Sequence, residues 1–355
     1  MAAALPRALS RLCPRRCPAL PRPAWTGGHR GHRGDSGSAG PARPRWARPA
    51  GAALAFLGGF SLFPRDADEE DGEDAIVQLL KRAKLSAMKG ELGEAEQLLH
   101  QALRQAHRQE NRQAIIYTYS MMGNVAYMQG QLDNAEKLYK ATMSYMLAGD
   151  TKEDDNAILE MSLKLASIYA AQKQHELAVA GYQFCILTLE EKIAKQKDLP
   201  EDVLSAEEKA NTQLLLGMSL DSYARYLLNI NELPAAQKMY EKALQISKDV
   251  QGETHPQSVV LMNDLATVLD AQGHFEEAHA CCSRAAELAR DTQHPEEHMV
   301  LNNLAAILMH KEDFLQAKQV YKEALKQAQQ KGDAASVQHI QEELAELAKR
   351  RKGSK

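Results

Sequence analysis

The sequence carries few of the elements that chemistry usually needs. It has no G-x-x-x-x-G-K phosphate loop, no G-x-S-x-G elbow and no G-x-G-x-x-G fingerprint, which removes the commonest backbone cradles for nucleotides and acyl intermediates. Cysteine is scarce and badly spaced for a framework. Cys13 and Cys17 lie near the start, and Cys185, Cys281 and Cys282 further on, with no C-x-x-C among them. That excludes a zinc ribbon or a set of paired disulfides, and suits a reducing compartment. No stretch alternates as a strand would, so no sheet is expected. The apolar run AGAALAFLGGFSLF, Ala50 to Phe63, is bounded by Pro49 and Pro64. As a helix it would span only ~21 Å, against a hydrocarbon core of ~30 Å. It is too short to cross a bilayer.

Charge is unevenly missing. Residues 1–50 hold ten arginines, no lysine and one acid, Asp35. An arginine-rich, acid-poor start of this kind marks a mitochondrial transit peptide, here assigned to residues 1–49. The remaining 305 residues carry 33 basic and 46 acidic side chains, a formal charge of −13. An acidic body excludes nucleic acid as a partner, because phosphates need cationic neutralisation. Residues 50–64 form a short hydrophobic segment, suited to a sorting signal or a shallow anchor in the inner-membrane surface. Residues 65–75 read as an acidic linker, with seven acids between Asp66 and Asp74.

From Ile76 the apolar residues recur at helical spacing, and one pattern returns six times. An alanine opens a second helix, a larger residue follows four later, and a small residue three after that. The sets are Ala95, Leu99, Ala102; Ala135, Tyr139, Thr142; Ala178, Tyr182, Cys185; Ala236, Tyr240, Ala243; Ala278, Cys282, Ala285; Ala317, Tyr321, Ala324. Twelve residues before each opening alanine stands Ala83, Gly123, Ala166, Ala224, Ala266 or Ala305. Small residues let two backbones approach, and the large one fills the space beside the contact. Gly90, Gly130, Asn231 and Gly273, each five residues before an opening alanine, suit a tight turn with positive φ.

This small–large–small pattern resembles the tetratricopeptide repeat. The resemblance implies an all-α, right-handed solenoid of about six helical hairpins over residues 76–330. The apolar stripe Val337, Ile340, Leu344 and Leu347 predicts a capping helix over 331–349, leaving 350–355 as a basic tail. Opening alanines recur at intervals of 39 to 58 residues, longer than the usual period, and GETHPQSVVLMNDLA (Gly252–Ala266) is similar to the kinesin-light-chain subtype. In the 58-residue interval the second helix is expected to run to about Lys197, and Ser205 with Glu208 to form a capping box.

HPEEH, His294 to His298, fits the H-x-x-E-H pattern of zinc peptidases. Its phase argues otherwise. His294 lies 23 residues before Ala317, and His255, also followed by proline, 23 before Ala278. A recurring His-Pro is a repeat element, with proline placed in the first turn of a helix. Neither catalysis nor a bound metal or cofactor is expected, and Cys282 and the repeat tyrosines read as packing.

In such a solenoid the first helices line a concave groove for partner peptides. The positions facing it are Asn124, Lys164, Arg225, Asn263, Asp264, Asn302 and Asn303; asparagines there can bond a peptide backbone through both amide and carbonyl. The alternative is that the asparagines satisfy neighbouring helices. Presequence, apolar segment, acidic linker and long-period repeats together resemble a mitochondrial family of tetratricopeptide repeat proteins. That resemblance implies a non-catalytic scaffold of the inner membrane, matrix-facing or on the intermembrane-space side. It implies a role in assembly or maintenance of respiratory complex III, whose subunits, including the Rieske iron–sulfur protein, would be the partners. The alternative is a cytosolic kinesin-light-chain-like adaptor or cell-division factor.

Overall fold

The computed structural model describes residues 71–353, except 150, 198 and 200–202. The segments assigned above to a transit peptide and an apolar anchor, and the first part of the acidic linker, lie outside the described residues. Among the described residues there are thirteen helices and no strand. They pair as α1 (Asp71–Met88) with α2 (Leu92–Arg108), α3 (Arg112–Met128) with α4 (Leu132–Leu147), and α5 (Asn156–Ala171) with α6 (His175–Gln196). The series continues as α7 (Ala206–Asn229) with α8 (Leu233–Gln251), α9 (Pro256–Ala271) with α10 (Phe275–Asp291), and α11 (Glu297–His310) with α12 (Phe314–Lys331). A last helix, α13 (Ala334–Gly353), packs on the end. Helix α1 begins at Asp71, so the end of the segment read as a linker is helical, and α13 extends into the segment read as a tail.

The repeated pattern makes each hairpin. All six opening alanines are fully buried, as are Leu99, Tyr139, Cys282 and Tyr321 at the large position, while Tyr182 and Tyr240 are 2% and 1% exposed. A fully buried side chain the size of Leu99 contributes roughly 1.5–3 kcal/mol by leaving water. Gly123 shows why the facing residue must be small: a Cβ there would lie 2.6 Å from Tyr139 Cε1.

The six hairpin turns are the same structure. In each, an amide donates to the carbonyl five residues back: Glu91 to Ser86, Gln131 to Ala126, Gln174 to Tyr169, Glu232 to Leu227, His274 to Leu269 and Asp313 to Leu308, at 2.8 to 3.0 Å. This Schellman closure needs a left-handed residue just before the donor. Gly90, Gly130, Asn231 and Gly273 supply it, with φ of 81°, 76°, 66° and 84°. Lys173 (61°) and Glu312 (62°) supply it in the other two turns, where the backbone strain costs roughly 1–2 kcal/mol.

The long third interval is built as its sequence predicts. Helix α6 ends at Gln196, and Ser205 and Glu208 form a capping box at the start of α7.

Candidate protein-binding face

The HPEEH segment is part of a turn. His294 and His298 are each 5% exposed. The amide of Glu296 donates to His294 Nδ1 at 3.1 Å, and the amide of Gln257 donates to His255 Nδ1 at 3.2 Å. Both His-Pro pairs thus cap the following segment through the same ring nitrogen. Pro256 occupies the first turn of α9, whereas Pro295 stands two residues ahead of α11, because one extra turn precedes Glu297. His298 Nε2 lies 3.2 Å from Asp333 Oδ2, tying α11 to the start of α13. Among the described residues no group of three or more His, Cys, Asp or Glu could hold a metal. Burial pushes the Cys281 thiol up to about 11 and raises that of fully buried Cys282 further, so neither is a nucleophile at neutral pH.

The first helix of each hairpin places its polar residues at set distances from the small residue, and these positions meet across the seams between repeats. At the seam of the second and third repeats, Lys164 Nζ donates to Asn124 Oδ1 at 3.1 Å. Tyr139 Oη donates to the same oxygen at 2.6 Å. Lys164 also pairs with Glu160 at 2.9 Å, both side chains being about 5% exposed. Lys164 stands two residues before its small residue and Asn124 one after.

The same register recurs between the fourth and fifth repeats, with other chemistry. Arg225 takes the place of Asn124 and Asp264 that of Lys164. Arg225 donates to both oxygens of Asp221, at 3.0 and 2.9 Å, and lies 3.6 Å from Asp264. Here the side chains remain about a quarter exposed, at 26% for both Arg225 and Asp264. Burial, with the charges of Asp221 and Glu296, raises the Asp264 carboxyl to about 6 against the opposing pull of Arg225. Next along, Asn303 Nδ2 donates to Asn263 Oδ1 at 2.9 Å, and Asn302 to Asn303 Oδ1 at 3.4 Å.

The seven residues assigned to the groove therefore divide. Asn124, Lys164, Asn302 and Asn303 are buried, at 4 to 5% exposure; the first two and Asn303 bond across repeats, whereas Asn302 donates to Asn303 on its own helix. Arg225, Asn263 and Asp264 stay half-buried and form a connected patch on α7 and α9. Sequence spacing missed Glu160 and Asp221 as their charge partners, although each lies four residues before its cation on the same helix.

The seam between the third and fourth repeats has no such polar link among the hydrogen bonds of these positions. There Tyr182 stacks on Tyr223 at 5.3 Å and His175 Nδ1 meets Tyr226 Oη at 2.9 Å, while away from these positions Asn156 Nδ2 donates to Thr212 Oγ1 at 3.0 Å and Lys242 pairs with Glu190 at 3.1 Å.

Hairpins closed by one turn type, packed through small–large–small contacts and joined by a shared register define a tetratricopeptide repeat solenoid. Two tetratricopeptide repeat profiles match, over residues 209–291 and 300–331. The crystal structure of BtubC (BKLC) from P. vanneervenii has a TM-score of 0.54, covering 74% of this chain and 93% of that one at 15% identity, a likeness of fold alone. Human tetratricopeptide repeat protein 19, mitochondrial, is 64% identical over 284 residues, 80% of this chain and 74% of that protein. Its rat counterpart is 61% identical over 291 residues, 80% of each. The chain belongs to the tetratricopeptide repeat protein 19 family, whose relatives are mitochondrial.

Proposed function

We propose that this chain is a non-catalytic mitochondrial scaffold that holds a subunit or peptide of respiratory complex III, such as one from the Rieske iron–sulfur protein, during assembly or maintenance of that complex. It works at the inner membrane, on the matrix side, in peripheral or shallow contact with the bilayer. The observation that carries a binding role is the Arg225–Asp264–Asn263 patch, where charged and amide groups stay open while their counterparts in other seams are closed. A peptide crossing it would find a guanidinium and carboxylates for its side chains and an amide for its backbone. The mitochondrial relatives weigh against the cytosolic adaptor. The test is native-gel separation of gently solubilised mitochondria, with quantitative mass spectrometry of every slice. Co-migration with complex III subunits is expected, weakened by the pair Arg225→Gln and Asp264→Asn. Migration solely at the mass of the monomer, also after chemical cross-linking, overturns the reading.

A further inference from the structure

Among the described residues no repeat precedes the first, and its outer face differs from the equivalent face of every later repeat. The residue two after the small residue of each first helix is Val125, Ile168, Tyr226, Val268 or Ile307 in the later repeats, all 0 to 5% exposed. There the second helix of the preceding repeat covers it, as His175 of α6 does against Tyr226. In the first repeat the same position is Leu85, 52% exposed, with Met88 at 58% beside it. The residue one before the small residue is apolar in all later repeats: Met122, Leu165, Tyr223, Leu265 and Leu304. In the first repeat it is Arg82, exposed, flanked by Lys81, Lys84 and Lys89. None of these four cations forms an ion pair with another described residue.

A missing helix would call for an apolar face, and this one has exchanged half its apolar contacts for cations. Two exposed apolar side chains ringed by four cations that make no ion pair among the described residues, on the helix next along the chain from the apolar run 50–63, match an interfacial surface instead. The sign is local: the body as a whole carries −13. The acids at the start of α1 do not cancel it. Asp74, the last of them, lies seven residues before Lys81 and eleven before Leu85, ~10 Å and ~16 Å along the helix, beyond the ~8 Å screening length at physiological salt. We infer that the outer face of α1 seats on an anionic bilayer, Leu85 and Met88 entering the headgroup–acyl boundary and Lys81, Arg82, Lys84 and Lys89 meeting lipid phosphates. The inference deepens the inner-membrane part of the proposed function and rests on it; it does not depend on complex III.

The test uses the full chain. Both its tryptophans, Trp25 and Trp46, precede the repeats, so Trp25→Phe and Trp46→Phe leave a silent background. Into it go Met88→Trp as reporter and, separately, Leu315→Trp as a control at a position 64% exposed on α12. The probe is vesicles of phosphatidylcholine with one-fifth cardiolipin. Blue-shifted emission from position 88 and none from 315 is expected, together with about thirtyfold weaker co-sedimentation on changing Lys81→Gln and Arg82→Gln, near 1 kcal/mol per cation. Sedimentation with position 88 unshifted overturns the inference while leaving membrane association intact through another segment. An equal shift on pure phosphatidylcholine removes the cationic contact and also overturns it. Failure to sediment overturns both readings.

Discussion

The seam between the second and third repeats and the seam between the fourth and fifth use one register for two purposes. In the first, Glu160, Lys164, Asn124 and Tyr139 close on one another with about 5% of the ion pair left in contact with water. In the second, Arg225, Asp221 and Asp264 occupy corresponding places, yet a quarter of Arg225 and Asp264 remains open and carboxylates outnumber cations. A closed network fixes the stacking of two repeats. An open, unbalanced one is held together less completely and keeps interaction capacity for a third party. The difference separates polar residues closed into the stack from polar residues open to solvent better than position on the helix does.

Breaking the closed seam is expected to have the largest effect. Lys164→Met leaves Glu160 buried without its partner and should lower unfolding stability by about 3–5 kcal/mol, read by urea denaturation; a loss under about 1 kcal/mol would show that the seam is not closed in solution. Gly123→Ala forces a methyl group against the Tyr139 ring in the same seam and should cost about 1–3 kcal/mol, measured in the same way. At the open seam, pH is the sharper probe. The Asp264 carboxyl is raised in the folded state above its ordinary value near 3.8 to about 6, so the folded chain binds more protons than the unfolded one between those values. Its contribution to stability is therefore greatest below pH 4 and is lost as pH rises through about 6. Asp264→Asn should remove that decline, seen as a difference between variant and parent midpoints across this window; parallel curves would refute it. The smallest effect belongs to the exposed pair of Lys242 and Glu190, 3.1 Å apart. Lys242→Ala should change stability by less than about 0.5 kcal/mol, and a larger loss would mean that this exposed pair helps to hold the third and fourth repeats together.

Much of the fold was legible because a repeat states its constraint six times. The opening alanines, the large residues and the facing small residues all sit where their spacing placed them, and the Ser205 capping box forms as its two residues predict. Lys173 and Glu312 were not legible as turn residues, since a left-handed conformation in a non-glycine residue leaves no compositional mark. It shows only through the phase of the repeat around it. The site was less legible than the fold. Spacing put Asn124, Lys164, Asn302 and Asn303 on the inner side of the first helices, but long side chains there reach sideways to the next repeat before they reach solvent. Whether a polar residue at that position is buried depends on what stands one or two places from the small residue in the adjacent repeat, some forty residues away.

The ring-lined joint between the third and fourth repeats has a bearing on how the stack is coupled. In a linear stack, each unit is held only by its neighbours. At this joint the contact includes stacked tyrosines where the seams on either side use ion pairs, and a nine-residue connection joins α6 to α7. Substituting those rings would therefore act on the coupling of these two repeats and leave the charged seams on either side in place.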